Sequence, residues 1–229
     1  MTIKAWQGPS TIDGKSIMAV ISCEKTKSRN IKTGDMVQVA FFSTLEKPVT
    51  AAHKTGNDES VCGSCPLRPK VWTKEVSDEP CYVGLHWKGR QWSTALALSA
   101  DMKAARDVLG NKPVRFGEYG NMSSIPREVS EQLLQAAEKW TLYEHEWRKE
   151  SNQWLRHYAM ASVHSIEEAE EAWAMGWRTF RVTKDGEHPE DNEIECPYVQ
   201  RGTQCASCLL CNGKKKGKDK RKSITVPAH

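Results

Sequence analysis

The chain has 229 residues, 38% of them hydrophobic and 27% charged, with a formal net charge of +4. That length allows one sizeable core, or one domain plus an appendage, and the composition excludes wholesale disorder. No stretch approaches the ~18 apolar residues that a membrane span needs, and MTIKAWQGPSTIDGK lacks the apolar core of a signal peptide. A cytoplasmic, reducing location is the expectation, and eight cysteines there are better explained by metal than by disulfides.

In chain order, IMAVIS (17–22) and MVQVAFFS (36–43) flank a polar stretch with a Thr-Gly-Asp turn signal and read as a β-hairpin. Residues 1–50 form an N-terminal hairpin region in this reading, and 51–229 an α/β domain. Residues 44–81 hold Pro, Gly, Asn, Asp and three cysteines. So long a loop is uncommon without an organiser, and a bound metal would serve as one.

From about residue 84 helical and extended patterns alternate. LHWKGRQWSTALALSADMKAARDVL is helix-prone, with Gly89 as its weak point, and PVRFGEY (113–119) is a short strand. Pro126 opens a helix through Trp140 with Val129, Leu133, Leu134 and Ala137 on one face. TLYEHEW (141–147) is extended and RKESNQWLRHY helical. YAMASVH (158–164) and WRTFRVT (177–183) are strands around a helix that Ser165 and Glu168 open as a capping box and Gly176 ends. SITVPAH (223–229) is the last strand. This alternation predicts a parallel sheet of strand–helix repeats, open or curled into a partial, incomplete TIM-type barrel.

Two cysteine groups carry the chemistry. Cys196, followed by Pro197, and then Cys205, Cys208 and Cys211 supply four thiolates, three of them at i, i+3 and i+6. Zinc ribbons present their cysteines as separated pairs, whereas successive x2 spacing wraps a chain around a cuboidal cluster, as in bacterial ferredoxins. A [4Fe–4S] cluster is therefore the favoured occupant and structural zinc the alternative. Leu209 and Leu210 between the ligands would shield it from water. Cys62, Cys65 and Cys81 form the second group, three thiolates that leave a cubane one open position; zinc completed by His53 or His86 is the competing reading. Cys23 reads as a buried apolar thiol.

The strings VCGSCPLRP…CYV, VRFGEYGN, MASVHS, GWRTFRV and ECP…QCASCLLC…SITVPAH resemble a family of uncharacterised phage proteins, from roughly Ile31 to the end of the chain. The resemblance carries no function across, but implies a host-cytoplasmic setting. The element order is also similar, more distantly, to radical S-adenosylmethionine enzymes. That likeness implies a third cluster ligand at Cys81 beside Tyr82 and a cofactor contact at Gly117 and Glu118. Here a CxxC and a distant cysteine replace the compact CxxxCxxC of those enzymes.

Glu118, Glu144, His145 and His164 fall near predicted C-terminal strand ends, where α/β folds place their sites; packed or solvated roles are the default for each. Core packing is likewise the default for Trp140, Trp147, Trp154, Trp173 and Trp177. Lys214, Lys215, Lys216, Lys218, Lys220, Arg221 and Lys222 form a basic run with one acid. It reads as a solvated connection with at most weak, sequence-independent nucleic-acid contact. Two function classes follow: an iron–sulfur protein with redox or radical-type chemistry, or a non-enzymatic module that binds nucleic acid or a host protein through structurally metallated loops.

Overall fold

In the computed structural model, residues 1–23, 31–69, 81 and 83–228 are described. Tyr82, His229 and much of the polar stretch between the hairpin strands lie outside the described residues. The chain divides into two compact units, one of 1–25 with 37–138 and the other of 26–36 with 139–229. The strands expected over 1–50 thus share the first unit with 51–138.

The first unit is built on β1 (Thr2–Pro9), β2 (Ser16–Ser22), β3 (Val37–Ser43) and β4 (Val114–Arg115), hydrogen-bonded in that order. β1, β2 and β3 run antiparallel and β4 joins β3 in parallel. Every residue of the apolar run Ile17–Ile21 is buried, because the sheet is packed over rather than left wet on one side. The hairpin of β2 and β3 matches the sequence pattern, whereas β1 carries Lys4, Gln7 and Gly8 and gives little strand signal.

Four short helical segments follow in the first half of this unit: α1 (Pro48–Thr50), a π-type turn (Ala51–Thr55), α2 (Glu59–Cys62) and, after the loop, α3 (Leu85–Leu96). α4 (Met102–Leu109) completes the helix-prone stretch. The break falls at residues 97–101 and not at Gly89. Asp101 caps α4 by accepting from the Ala104 N–H at 2.9 Å, and its own N–H donates to Lys4 O. A capping carboxylate and a β1 carbonyl thus outcompete the helix propensity of an alanine-leucine run. α5 (Arg127–Ala136) starts one residue after Pro126 and buries Leu133 and Leu134.

The second unit contains β5 (Trp140–Thr141), then β6 (Tyr143–Glu144), a 3-10 segment (Glu150–His157), β7 (Met160–Val163), α6 (Ile166–Ala174), β8 (Thr179–Thr183), β9 (Glu193–Glu195), α7 (Pro197–Arg201), α8 (Cys205–Cys208) and β10 (Ser223–Pro227). Its sheet has the order β6-β7-β8-β10-β9, and every pairing in it is parallel. The parallel α/β expectation therefore holds for this unit, and β10 enters between β8 and β9. The stretch read as a helix after Trp147 is a 3-10 segment instead. Ser165 caps α6 from the Glu168 N–H, and the Glu168 carboxylate reaches back to the His164 N–H at 2.7 Å.

The two faces of this sheet are chemically opposite to a naive hydrophobic reading. Thr179, Arg181, Thr183, Ser223, Thr225 and Glu193 face α6 and are buried, while Phe180, Val182, Ile224 and Ile194 face the cysteine segment. The buried polar face is self-satisfied: Ser223 Oγ accepts from Thr179 N and Trp173 Nε1, and Arg181 grips Glu193 through bonds of 2.6 to 3.2 Å. Trp147 and Trp177 are buried as expected, and Trp140, Trp154 and Trp173 are half-buried.

Candidate metal centres

In the second unit the thiols form the lid of the apolar sheet face. β9 ends at Glu195, so Cys196 sits just past the strand and its N–H donates to Thr225 O at 2.8 Å. Pro197 starts α7 at the position where its missing N–H costs nothing. α8 then carries Cys205 and Cys208 one turn apart. Its first N–H groups, of Cys205 and Ala206, donate to Lys32 O and Thr33 O, both at 3.0 Å, so residues 31–33 cap a helix far along the chain.

Between Cys208 and Cys211 the chain reverses through Leu209, whose φ of 52° is the only positive value for a non-glycine among the described residues. A leucine in the left-handed region costs roughly 1–2 kcal/mol. The reversal turns Cys211 inward beside Cys196, and Leu210 packs against the same cluster with Tyr143, Met160 and Phe180. Cys211 O accepts from the Leu142 N–H.

Burial pushes the Cys211 thiol up to about 12; hydrogen bonding from Tyr143 opposes this, and the nearby Cys205, Cys196 and Cys208 add to it. Cys211 thus feels the charge of the other three expected ligands. A cation stands beside them. Arg178 donates to Leu210 O and Asn212 O at 2.8 and 2.7 Å and to Lys222 O, holding the chain on either side of the basic run. Burial, and then Arg221, lowers its pKa to about 10, while Cys211 acts the other way.

The first unit arranges the other group. Cys62 closes α2, Gly63 turns the chain, and Cys65 N donates back to Cys62 O at 3.2 Å. Arg68 braces this loop: its guanidinium makes two bonds to Asp58, at 3.0 and 2.8 Å, and reaches Gly63 O and Gly56 O. Burial first, then Asp58, Cys65 and Cys81, drive the Cys62 thiol well up. Cys65 rises to about 12, again through burial, with Cys81 adding. Cys81, distant in sequence, therefore lies within the field of the CxxC pair. The buried Tyr119 hydroxyl faces Cys62, and Gly120 lets the 117–121 turn press on Val61 of α2.

All eight cysteines are free thiols. Among the described residues no group of three or more His, Cys, Asp and Glu is placed to hold a metal ion. The donor sets fit soft, thiolate-preferring centres. His53 is buried and His86 is exposed on α3. Cys23 is half-buried at the end of β2 and does not occupy the core position expected of it.

Gly117 has a φ of 66°, and the Glu118 carboxylate pairs with Lys88 Nζ at 2.5 Å. His145 and His164 stand past the ends of β6 and β7 with near-parallel rings 6.5 Å apart. Burial, and then His164, lowers His145 to about 4. Glu144 is fully buried and accepts from the Glu146 N–H. The features that sequence reasoning missed are Arg178, Tyr143, Arg68 and Tyr119; none has a spacing motif, and only the fold brings them to the thiols.

Comparison with known protein families, with curated proteins and with solved structures finds no match for this chain. Among the described residues no helix is long and apolar enough to cross a membrane.

Proposed function

We propose that this chain is an iron–sulfur protein, with Cys196, Cys205, Cys208 and Cys211 holding a [4Fe–4S]-type cluster and Cys62, Cys65 and Cys81 a second thiolate-ligated centre. The observation that carries this reading is the burial of Cys196 and Cys211 in one apolar cluster, with the Cys205 and Cys208 charges close enough to be felt at Cys211. A bound cluster would supply one-electron transfer.

The chain's own residues would tune it. Leu210, Tyr143 and Phe180 exclude water, the Tyr143 hydroxyl donates toward a ligand sulfur, and the Arg178 guanidinium offsets negative charge. Two thiolate sites in two separate units would suit electron passage, or chemistry at the three-thiol centre. The likeness to radical S-adenosylmethionine enzymes and their barrel rests on element order, that to phage proteins on the quoted strings, and both belong to the same proposal. The Glu118 carboxylate would have to leave Lys88 to meet a cofactor amine.

Anaerobic purification followed by iron, sulfide and zinc analysis tests the reading. A brown protein with broad visible charge-transfer absorption and equal iron and sulfide supports it. A colourless protein with zinc in both sites and no labile iron would instead assign the structural-metal binding module.

A further inference from the structure

The basic run is not a loose tether. Lys214 N donates to Arg156 O at 2.7 Å, and His157 Nδ1 donates to Lys214 O at 3.1 Å. Arg221 holds Asn212 Oδ1 and Gly213 O and pairs with Asp219, whose carboxylate also accepts from the Lys215 N–H at 2.8 Å. Asp219, the one acid of the run, is thereby spent on Arg221, which holds it well below the usual carboxylate range.

Beside the run lies a cleft of about 330 Å³ lined by Arg156, His157, Lys214, Lys215 and Lys216, with no acidic residue in its lining. Among the described residues the side chains of Arg156, Lys214, Lys215 and Lys216 have no ion-pair partner. Four permanent cations line one small volume, three of them on a loop held by backbone hydrogen bonds at Lys214 and Lys215. α6 also ends at this cleft, and its terminal carbonyls oppose an anion. They amount to about half a charge against four.

We propose that this cleft binds a phosphate group. The volume suits a phosphate or pyrophosphate with its first-shell water. The cations come from two separate stretches of chain, so the site is a property of the fold and not of the lysine run. The source of the phosphate is either a small phosphorylated ligand or the terminus or backbone of a nucleic-acid strand.

Calorimetric titration of the purified full chain with inorganic pyrophosphate, and with one single-stranded DNA in 5′-phosphorylated and unphosphorylated forms, tests this. The expected result is saturable binding that Lys215→Gln/Lys216→Gln weakens by about tenfold or more, the factor that loss of one charge-assisted hydrogen bond carries. Arg156→Gln should do the same from the other stretch of chain. Lys218→Gln/Lys220→Gln removes equal charge outside the cleft and should change binding little. Preference for the 5′-phosphorylated strand assigns a strand terminus, equal binding of both strands assigns the backbone, and binding of pyrophosphate alone assigns a small ligand. Equal weakening by both lysine pairs, or no binding of any probe, overturns the site. All four lysine substitutions are at exposed positions, and an unchanged urea midpoint shows that each variant is folded.

Discussion

Gly213 is pressed against the peptide joining His157 to Tyr158, so that a Cβ on it would overlap the His157 carbonyl carbon and the Tyr158 nitrogen. This contact lets the chain leave Cys211, hydrogen-bond to Arg156 and enter the basic run. Both partners are backbone, which cannot step aside. Gly213→Ala should therefore destabilise the second unit by about 1–3 kcal/mol or more, as overpacking does. Gly217→Ala meets nothing within 4 Å but forces a residue with a Cβ into a φ of +85°, which costs roughly 1–2 kcal/mol. Urea unfolding of the two variants should rank Gly213→Ala as the more severe; the reverse order would contradict the close approach.

The Arg181–Glu193 pair yields a second expectation. Both side chains are almost fully buried on the α6 face, with their nearest atoms 2.6 Å apart. Arg181→Met strands the buried Glu193 carboxylate and should cost about 3–5 kcal/mol, whereas Glu193→Gln should cost less because Glu187 still pairs with Arg181 at 3.0 Å. Replacing both by apolar residues of similar volume should cost clearly less than Arg181→Met alone. Additive losses in a double-mutant cycle would show that the pair does not act as a unit.

Acid should weaken the second unit through its histidine pair. His145, at about 4, and His164, also lowered, stay neutral in the fold, whereas an unfolded histidine titrates near 6.5. Between those values the unfolded chain binds protons that the folded chain refuses, so stability rises with pH there and levels off above it. The urea midpoint should fall from pH 7 to pH 5, and His145→Gln should flatten that slope. A slope unchanged in the variant would move the effect to other groups.

Much of this arrangement is legible in the sequence, and the rest fails for identifiable reasons. Local rules found the hairpin of β2 and β3, the Ser165 cap and the parallel strand–helix repeat, because each depends on residues only a few positions apart. The thiol spacing pointed to Cys196, Cys205, Cys208 and Cys211, and the fold puts Cys196 and Cys211 in one apolar cluster with the charges of Cys205 and Cys208 felt at Cys211. What could not be read is non-local. The strand Glu193–Glu195 looks like an acidic loop until Arg181 neutralises it, and α8 is capped by carbonyls of residues 32 and 33. The basic run reads as solvated, and Lys215, Lys216, Lys218, Lys220 and Lys222 are exposed, but nothing in its own composition shows that Arg221 consumes Asp219 or that Arg156 lines the same cleft.

The protonation of the thiols sets how metal must enter. Burial holds Cys65 and Cys211 at about 12 and Cys62 well above its ordinary value, so at neutral pH these sulfurs carry protons. In the metal-free chain this neutrality favours the fold below pH 9, the ordinary thiol value, and the advantage is lost between pH 9 and about 12 as the unfolded thiols ionise first. A metal reverses the balance, because only thiolates ligate and each ligand formed releases a proton. Titration of the reduced chain with cadmium, followed by its sulfur charge-transfer absorption, should show affinity rising steeply from pH 6 to pH 8 with protons appearing in a weakly buffered solution. Cys205→Ser/Cys208→Ser and Cys62→Ser/Cys65→Ser should each abolish one binding step and leave the other, since the two thiol sets lie in different units. If either pair of substitutions removed both steps, a single shared centre would replace the two-site reading; if cadmium bound without proton release, the raised thiols would not be its ligands.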